Sequence, residues 1–160
     1  MIAVVVAATF AALWWDYKSA EATREEVEEV AADFIQALTD FSADTIETDV
    51  QELQRFAIGD FADEVDTFFG PEAIELIKEA EATSEGDIQG IYVQRLGDGS
   101  ASIFALVSET ITNAEVSEPQ TDTVRIEIEM IETKADGWKV ADVQILQAPG
   151  SGLLGGSEAS

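Results

Sequence analysis

The sequence predicts an α+β domain: N-terminal helices packed on one face of a curved antiparallel sheet of about four strands. Three observations predict it. Apolar residues recur at steps of three and four from Val27 to about Ile77, then alternate with polar ones after Gly86. The turn residues change at the same place: Gly70-Pro71 interrupts a helical stretch, whereas Gly97-Asp98-Gly99 and Asp136-Gly137 separate alternating runs. All helical segments precede all strands, the order of a fold whose helices collect on one side of a sheet.

The first helix begins in an apolar run, Ile2 to Leu13 (IAVVVAATFAAL), with no charge and no helix breaker. Its apolar residues lie all round a helix, unlike those of an amphipathic surface helix. The run reads as a membrane anchor, residues 1–17, with Ile2, Val4, Val5, Val6, Phe10 and Leu13 in hydrocarbon. Trp14, Trp15 and Tyr17 stand where the run meets Asp16 and Lys18. Rings with an apolar body and a polar tip gather at the headgroup level, so these three form an interface belt. At ~1.5 Å per residue, Ile2 to Trp15 covers roughly 21 Å, short of a ~30 Å hydrocarbon core. A start upstream of Met1 would supply the rest, and this is the reading adopted. A cleaved leader ending near Ala20-Glu21-Ala22 lacks the basic residues that should open it. A short span that thins the bilayer is the third possibility. Lys18 and Arg24 are the only cations close behind the run, a poor cytoplasmic flank. The expected arrangement is a single-pass cell-membrane protein, its N-terminus cytoplasmic and its C-terminal domain on the outer, periplasm-like side.

The helix then continues into the domain, residues 18–148. Val27, Val30, Phe34, Leu38 and Phe41 make one apolar stripe, and Glu21, Glu25, Glu26, Glu28 and Glu29 cover the other faces as a solvated surface. Ser42 or Asp44 is placed to cap a second helix carrying Ile46, Val50 and Leu53. Phe56, Ile58, Phe61, Val65, Phe68 and Phe69 follow, and after Gly70-Pro71 a further helix with Ile74, Leu76 and Ile77 ends near Thr83. Strands are expected from Ile91 to Leu96, from Ser102 to Thr112, over Val124 to Met130, and from Trp138 to Leu146. Asn113 to Gln120, with Pro119, reads as a polar loop. Residues 149–160 are Gly/Ser-rich and read as a disordered tail.

Composition narrows the function. Thirty-three acidic residues against eight basic give a net charge of −25, which leaves no basic footprint for nucleic acid. With no cysteine and no histidine, thiolate chemistry and the commonest metal ligand and general base are missing. No phosphate loop, nucleophile elbow or zinc spacing occurs. The candidates left for acid/base work are Tyr92, Glu109 and Asp142, each read as a surface or edge residue. Asp60, Asp63 and Asp66 recur every three residues, but a straight helix does not wrap calcium with six or more oxygens. The expectation is therefore no enzyme, no cofactor and no metal. Phe68 and Phe69 are candidates for a partner surface, should they be exposed.

Helices followed by a curved four-stranded sheet match the cone-shaped NTF2-like, or cystatin-like, architecture. Three stretches in order carry a closer resemblance: Gly59-Asp60-Phe61-Ala62-Asp63-Glu64, then Thr110-Ile111-Thr112-Asn113, then Asp136-Gly137-Trp138-Lys139-Val140-Ala141-Asp142. Behind an N-terminal anchor, this order resembles the Mce-associated membrane proteins of actinobacteria. The resemblance covers roughly residues 1 to 146, departs from that family in its acidity and its missing basic tail, and makes Gly137, Trp138 and Val140 structural signature residues. It implies a non-catalytic accessory subunit that stabilises or assembles an Mce-type lipid importer, with transporter subunits and membrane lipid as partners and with homo-oligomers allowed. Two alternatives share the layout: a VirB8-like scaffold of secretion or conjugation, and a released NTF2-like module that binds lipid or a small molecule.

Overall fold

The structure, a computed structural model, describes the backbone of residues 2–114 and 116–147 and the side chains of 21–114 and 118–146. The first helix, α1 (Ile2–Thr39), runs unbroken through Ala20–Ala22 and into the domain. At ~1.5 Å per residue its 38 residues extend about 57 Å. Its buried stripe is Val27, Ala31, Phe34, Ile35 and Leu38, stepping by three and four as the sequence requires. A two-residue strand, β1 (Phe41–Ser42), leads to three short helices: α2 (Ile46–Gln54), α3 (Asp60–Phe68) and α4 (Pro71–Glu79). Pro71 occupies the first turn of α4, where its missing N–H is no loss.

The remaining chain is a meander of long strands: β2 (Thr83–Gly97), β3 (Ser100–Asn113), β4 (Val116–Thr133) and β5 (Gly137–Gln147). The sheet order is β1-β2-β3-β4-β5 and every pairing is antiparallel. Gly99 and Gly137, in the turns before β3 and at the start of β5, have φ of 75° and 68°, which explains the glycines there. On the inner face Ala101 pairs with Met130, Ile103 with Ile128, Ala105 with Ile126 and Val107 with Val124. All eight side chains are buried, small opposite large in two of the pairs. Extra residues on the flanking strands, at Gln89 and Gln94 of β2 and at Ala141 and Leu146 of β5, interrupt the ladder and bend the sheet around the helices. The outer edge of β5 is covered: Ile58 N–H donates to Val140 O at 2.9 Å, and Val140 N–H donates to Phe56 O at 2.8 Å.

The expected fold class stands at the level of helices on a curled antiparallel sheet, with corrections. The sheet has five strands, because β1 pairs with the start of β2 through Phe41–Ser84 and Ser42–Thr83. Ser42 therefore lies in a strand, and Thr45 takes the N-cap position of α2. Thr83 begins β2, and α4 ends at Glu79. The expected loop at 113–120 is largely the first part of β4, where Gln120 pairs with Ile111 and Val116 with Asn113. Pro119 falls in the irregularity between those two pairs, where a missing N–H interrupts no regular ladder. No helix among the described residues is long and apolar enough to cross a membrane. The side chains of the anchor and belt residues (Ile2, Val4, Val5, Val6, Phe10, Leu13, Trp14, Trp15, Tyr17) and the tail 149–160 lie outside the described residues.

Candidate functional site

The helix α3 has a simple apolar pattern. Phe61, Val65 and Phe69 step by four and are buried, so this stripe faces the sheet and α1. Phe34 of α1 takes Phe61 edge-to-face at 5.9 Å and Phe56 at 6.0 Å, which fixes the N-terminal end of α3. At the other end Phe68 sits beside the stripe, its ring edge-on to Phe69 at 5.0 Å and 48% exposed. Opposite, the inner-face residues Val143 and Ile145 of β5 remain only half-buried.

Between these walls lies a cleft of about 600 Å³ with Leu38 and Leu53 at its base and Phe68 at its lip. Its polar lining among the described residues is Asp63, Glu64 and Thr67 of α3, with no Lys or Arg. Both carboxylates are exposed. The Thr67 hydroxyl donates back to Asp63 O at 2.8 Å, an intrahelical bond that leaves it no base to activate it. The cleft can bind apolar groups and oppose anions, and its residues supply no nucleophile paired with a base.

The three acid/base candidates are not brought together. Tyr92 is 59% exposed on the outer face of β2, its ring over Gly90 and 6.3 Å from that of Phe104. Asp142 is on the outer face of β5 opposite Glu129, accepting from Gln144 Nε2 at 3.2 Å. Glu109, expected at the surface or an edge, is instead buried, with 3% exposure. The reason is parity: it continues the inward series Ile103, Ala105 and Val107 on β3. Ser84 Oγ donates to its Oε1 at 2.9 Å, and Asp122 faces it from β4. Burial pushes the Glu109 carboxyl above the usual carboxylate range, the Ser84 bond opposes that, and the neighbouring Asp122 charge adds to it.

A raised folded-state value means that the folded chain binds this proton more tightly than the unfolded chain. Stability is then greatest below the ordinary Glu range, falls as pH rises through the raised value, and stays at its reduced level above it. Glu109→Gln keeps the acceptor for Ser84 and removes the buried charge. It should raise stability by about 1 kcal/mol at neutral pH and by nothing resolvable below about pH 4. Urea unfolding at both pH values reads this, and an equal effect at both would refute the assignment.

The other sequence-selected residues are structural in placement. Trp138 is buried, with no hydrogen-bond partner for Nε1 among the described residues, and Val140 is buried beside the 56–58 segment. Phe69 is buried, so of the phenylalanine pair only Phe68 offers a surface. Asp66 accepts from Gln54 Nε2, Asp63 stands on the cleft rim, and no acidic group among the described residues is arranged to hold a metal. Sequence reading missed the cleft itself. Its walls come from α1, α2, α3 and β5, and only the outward step of Phe68 from the α3 stripe hinted at it.

No protein-family model matches the sequence, and no curated protein does. Solved structures match by shape. An IcmL-like type IV secretion system protein from Legionella pneumophila superposes with a TM-score of 0.64 at 11% identity, over 80% of this chain and 96% of that one. VirB8 from Agrobacterium tumefaciens gives 0.64 at 13% identity, over 84% and 96%. A periplasmic fragment of TraM gives 0.63 at 12% identity, over 78% and 98%. At such identities the likeness shows the fold alone: helices packed on a curled antiparallel sheet.

Proposed function

We propose that this chain is a non-catalytic scaffold subunit of a VirB8-type secretion or conjugation assembly, with its domain on the outer side of the cell membrane. The observation that carries the reading is the shared fold. An IcmL-like type IV secretion system protein, VirB8 and a periplasmic fragment of TraM superpose over nearly their whole length. The chemistry agrees with a scaffold: apart from Glu109 and Ser84 at one end, the buried side chains on the inner face of the sheet are apolar, and Tyr92 and Asp142 stand on the opposite face from Glu109. In this proposal residues 1–17 seat the chain in the bilayer with the Trp14, Trp15 and Tyr17 rings at the outer interface, and the acidic part of α1 holds the domain above it. The Mce accessory role is the weaker reading. It rests on the sequence resemblance alone, and none of the three superposed structures belongs to such a system.

Affinity purification of the full-length protein from its own membranes in mild detergent separates the readings. Secretion or conjugation components should co-purify. Recovery of Mce chains with a permease and an ATPase would reverse the order of the two. A protein recovered alone from the soluble fraction would sink both and leave the released binding module.

A further inference from the structure

The cleft between α3 and β5 has a composition that selects its occupant. Its walls are Phe61, Phe68, Phe69, Val143 and Ile145, and its charged lining groups, Asp63 and Glu64, are both negative. An exposed apolar opening on a chain this acidic is a candidate binding site. The volume, about 600 Å³, is right for a few large side chains or a small ligand. Charge decides between ligand classes. A fatty acid or anionic lipid would bring its carboxylate or phosphate to a rim of carboxylates, on a molecule with net charge −25. An amphipathic helix with apolar side chains on one face and Lys or Arg beside them meets the walls and the rim together.

We propose that this cleft docks an apolar segment flanked by basic residues from a partner protein, Phe68 and the β5 residues taking its apolar side chains and Asp63 with Glu64 its cations. The inference deepens the scaffold reading and rests on it in taking the occupant to be a protein. Three helical peptides with one leucine pattern, and Lys, Gln or Glu at the polar positions, are the probes. Each carries a dye, and binding to the full chain is read by fluorescence anisotropy. The lysine peptide should bind at least about tenfold more tightly than the glutamine peptide, and the glutamate peptide not measurably. Phe68→Ser, at an exposed position, should weaken the lysine peptide about tenfold or more. Asp63→Asn with Glu64→Gln should bring the lysine peptide close to the glutamine one. Glu25→Gln with Glu26→Gln, which removes two exposed charges on α1, should leave binding within about twofold.

Equal losses from the α3 and α1 charge pairs would mean that only the general field of the protein is felt, and would overturn the proposal. So would retention of binding in Phe68→Ser, or displacement of the lysine peptide by oleate at lower concentration than by unlabelled peptide. The membrane purification, repeated with Phe68→Ser, keeps the two claims apart. Partners retained by both forms would leave the scaffold and remove the cleft from it. Partners absent from both would sink the scaffold, while the peptide titration still reads the cleft.

Discussion

Phe34→Ala should lower the stability of the domain by about 3–5 kcal/mol, a large part of the 5–15 kcal/mol typical of a folded chain. Phe34 is fully buried and lies where three segments meet: α1 itself, the Phe56 turn and the start of α3. Its ring makes edge-to-face contacts with two others, so truncation removes apolar burial and two aromatic pairs, and leaves a cavity walled by rigid elements. The Phe56 turn also covers the edge of β5, through the bonds of Phe56 and Ile58 with Val140. Slack at Phe34 therefore reaches the sheet edge. A fall in melting temperature of roughly 10–20 °C is expected for a domain of this size. Phe34→Leu fills most of the volume without the ring pairs and should cost about 1–1.5 kcal/mol. Thermal and urea unfolding of both variants test this. A loss below about 1 kcal/mol for the alanine variant would mean that the three segments are held together by something else.

Much of this architecture is legible in the sequence wherever a period is long enough to be read. The α1 stripe from Val27 to Leu38 and the inward series on β4 (Val124, Ile126, Ile128, Met130) are unambiguous because each repeats several times. The strand β1 has two residues and no period at all, and exists because Phe41 and Ser42 find partners on β2. The start of β4 reads as a loop because it is polar and holds Pro119, and pairing with β3 overrides that local preference. Glu109 shows the opposite failure. Strict parity on β3 puts it inside, but a charged residue invites the assumption that it faces water. The cleft was the least legible feature: Leu38, Leu53, Phe68 and Ile145 are far apart in sequence and meet only in the folded chain.

Gly86→Ala should cost about 3 kcal/mol, the upper part of the range for overpacking. A β-carbon at Gly86 would stand 2.1 Å from Thr39 Oγ1 and 2.6 Å from Thr39 Cβ. Thr39 cannot swing away freely: it is buried, and its hydroxyl donates to Ile35 O at 2.9 Å. Nor can the backbones part, because Gly86 N–H donates to Asp40 Oδ1 at 2.7 Å and Ala43 N–H donates to Ala82 O at 2.8 Å. Glycine at 86 is thus required by the close approach of the α1 terminus to β2. The cause can be isolated. Thr39→Ala keeps the Cβ that clashes and should rescue Gly86→Ala only in part, whereas Thr39→Gly removes both offending atoms. In the Thr39→Gly background, Gly86→Ala should add less than about 1 kcal/mol to the cost of Thr39→Gly alone. Without such coupling the seam would not be the cause. This seam joins the helix that carries the hydrophobic N-terminal stretch to the sheet that walls the cleft. A scaffold that holds a partner at the cleft and itself at the membrane must pass load across it, so strength here serves the proposed function as well as the fold.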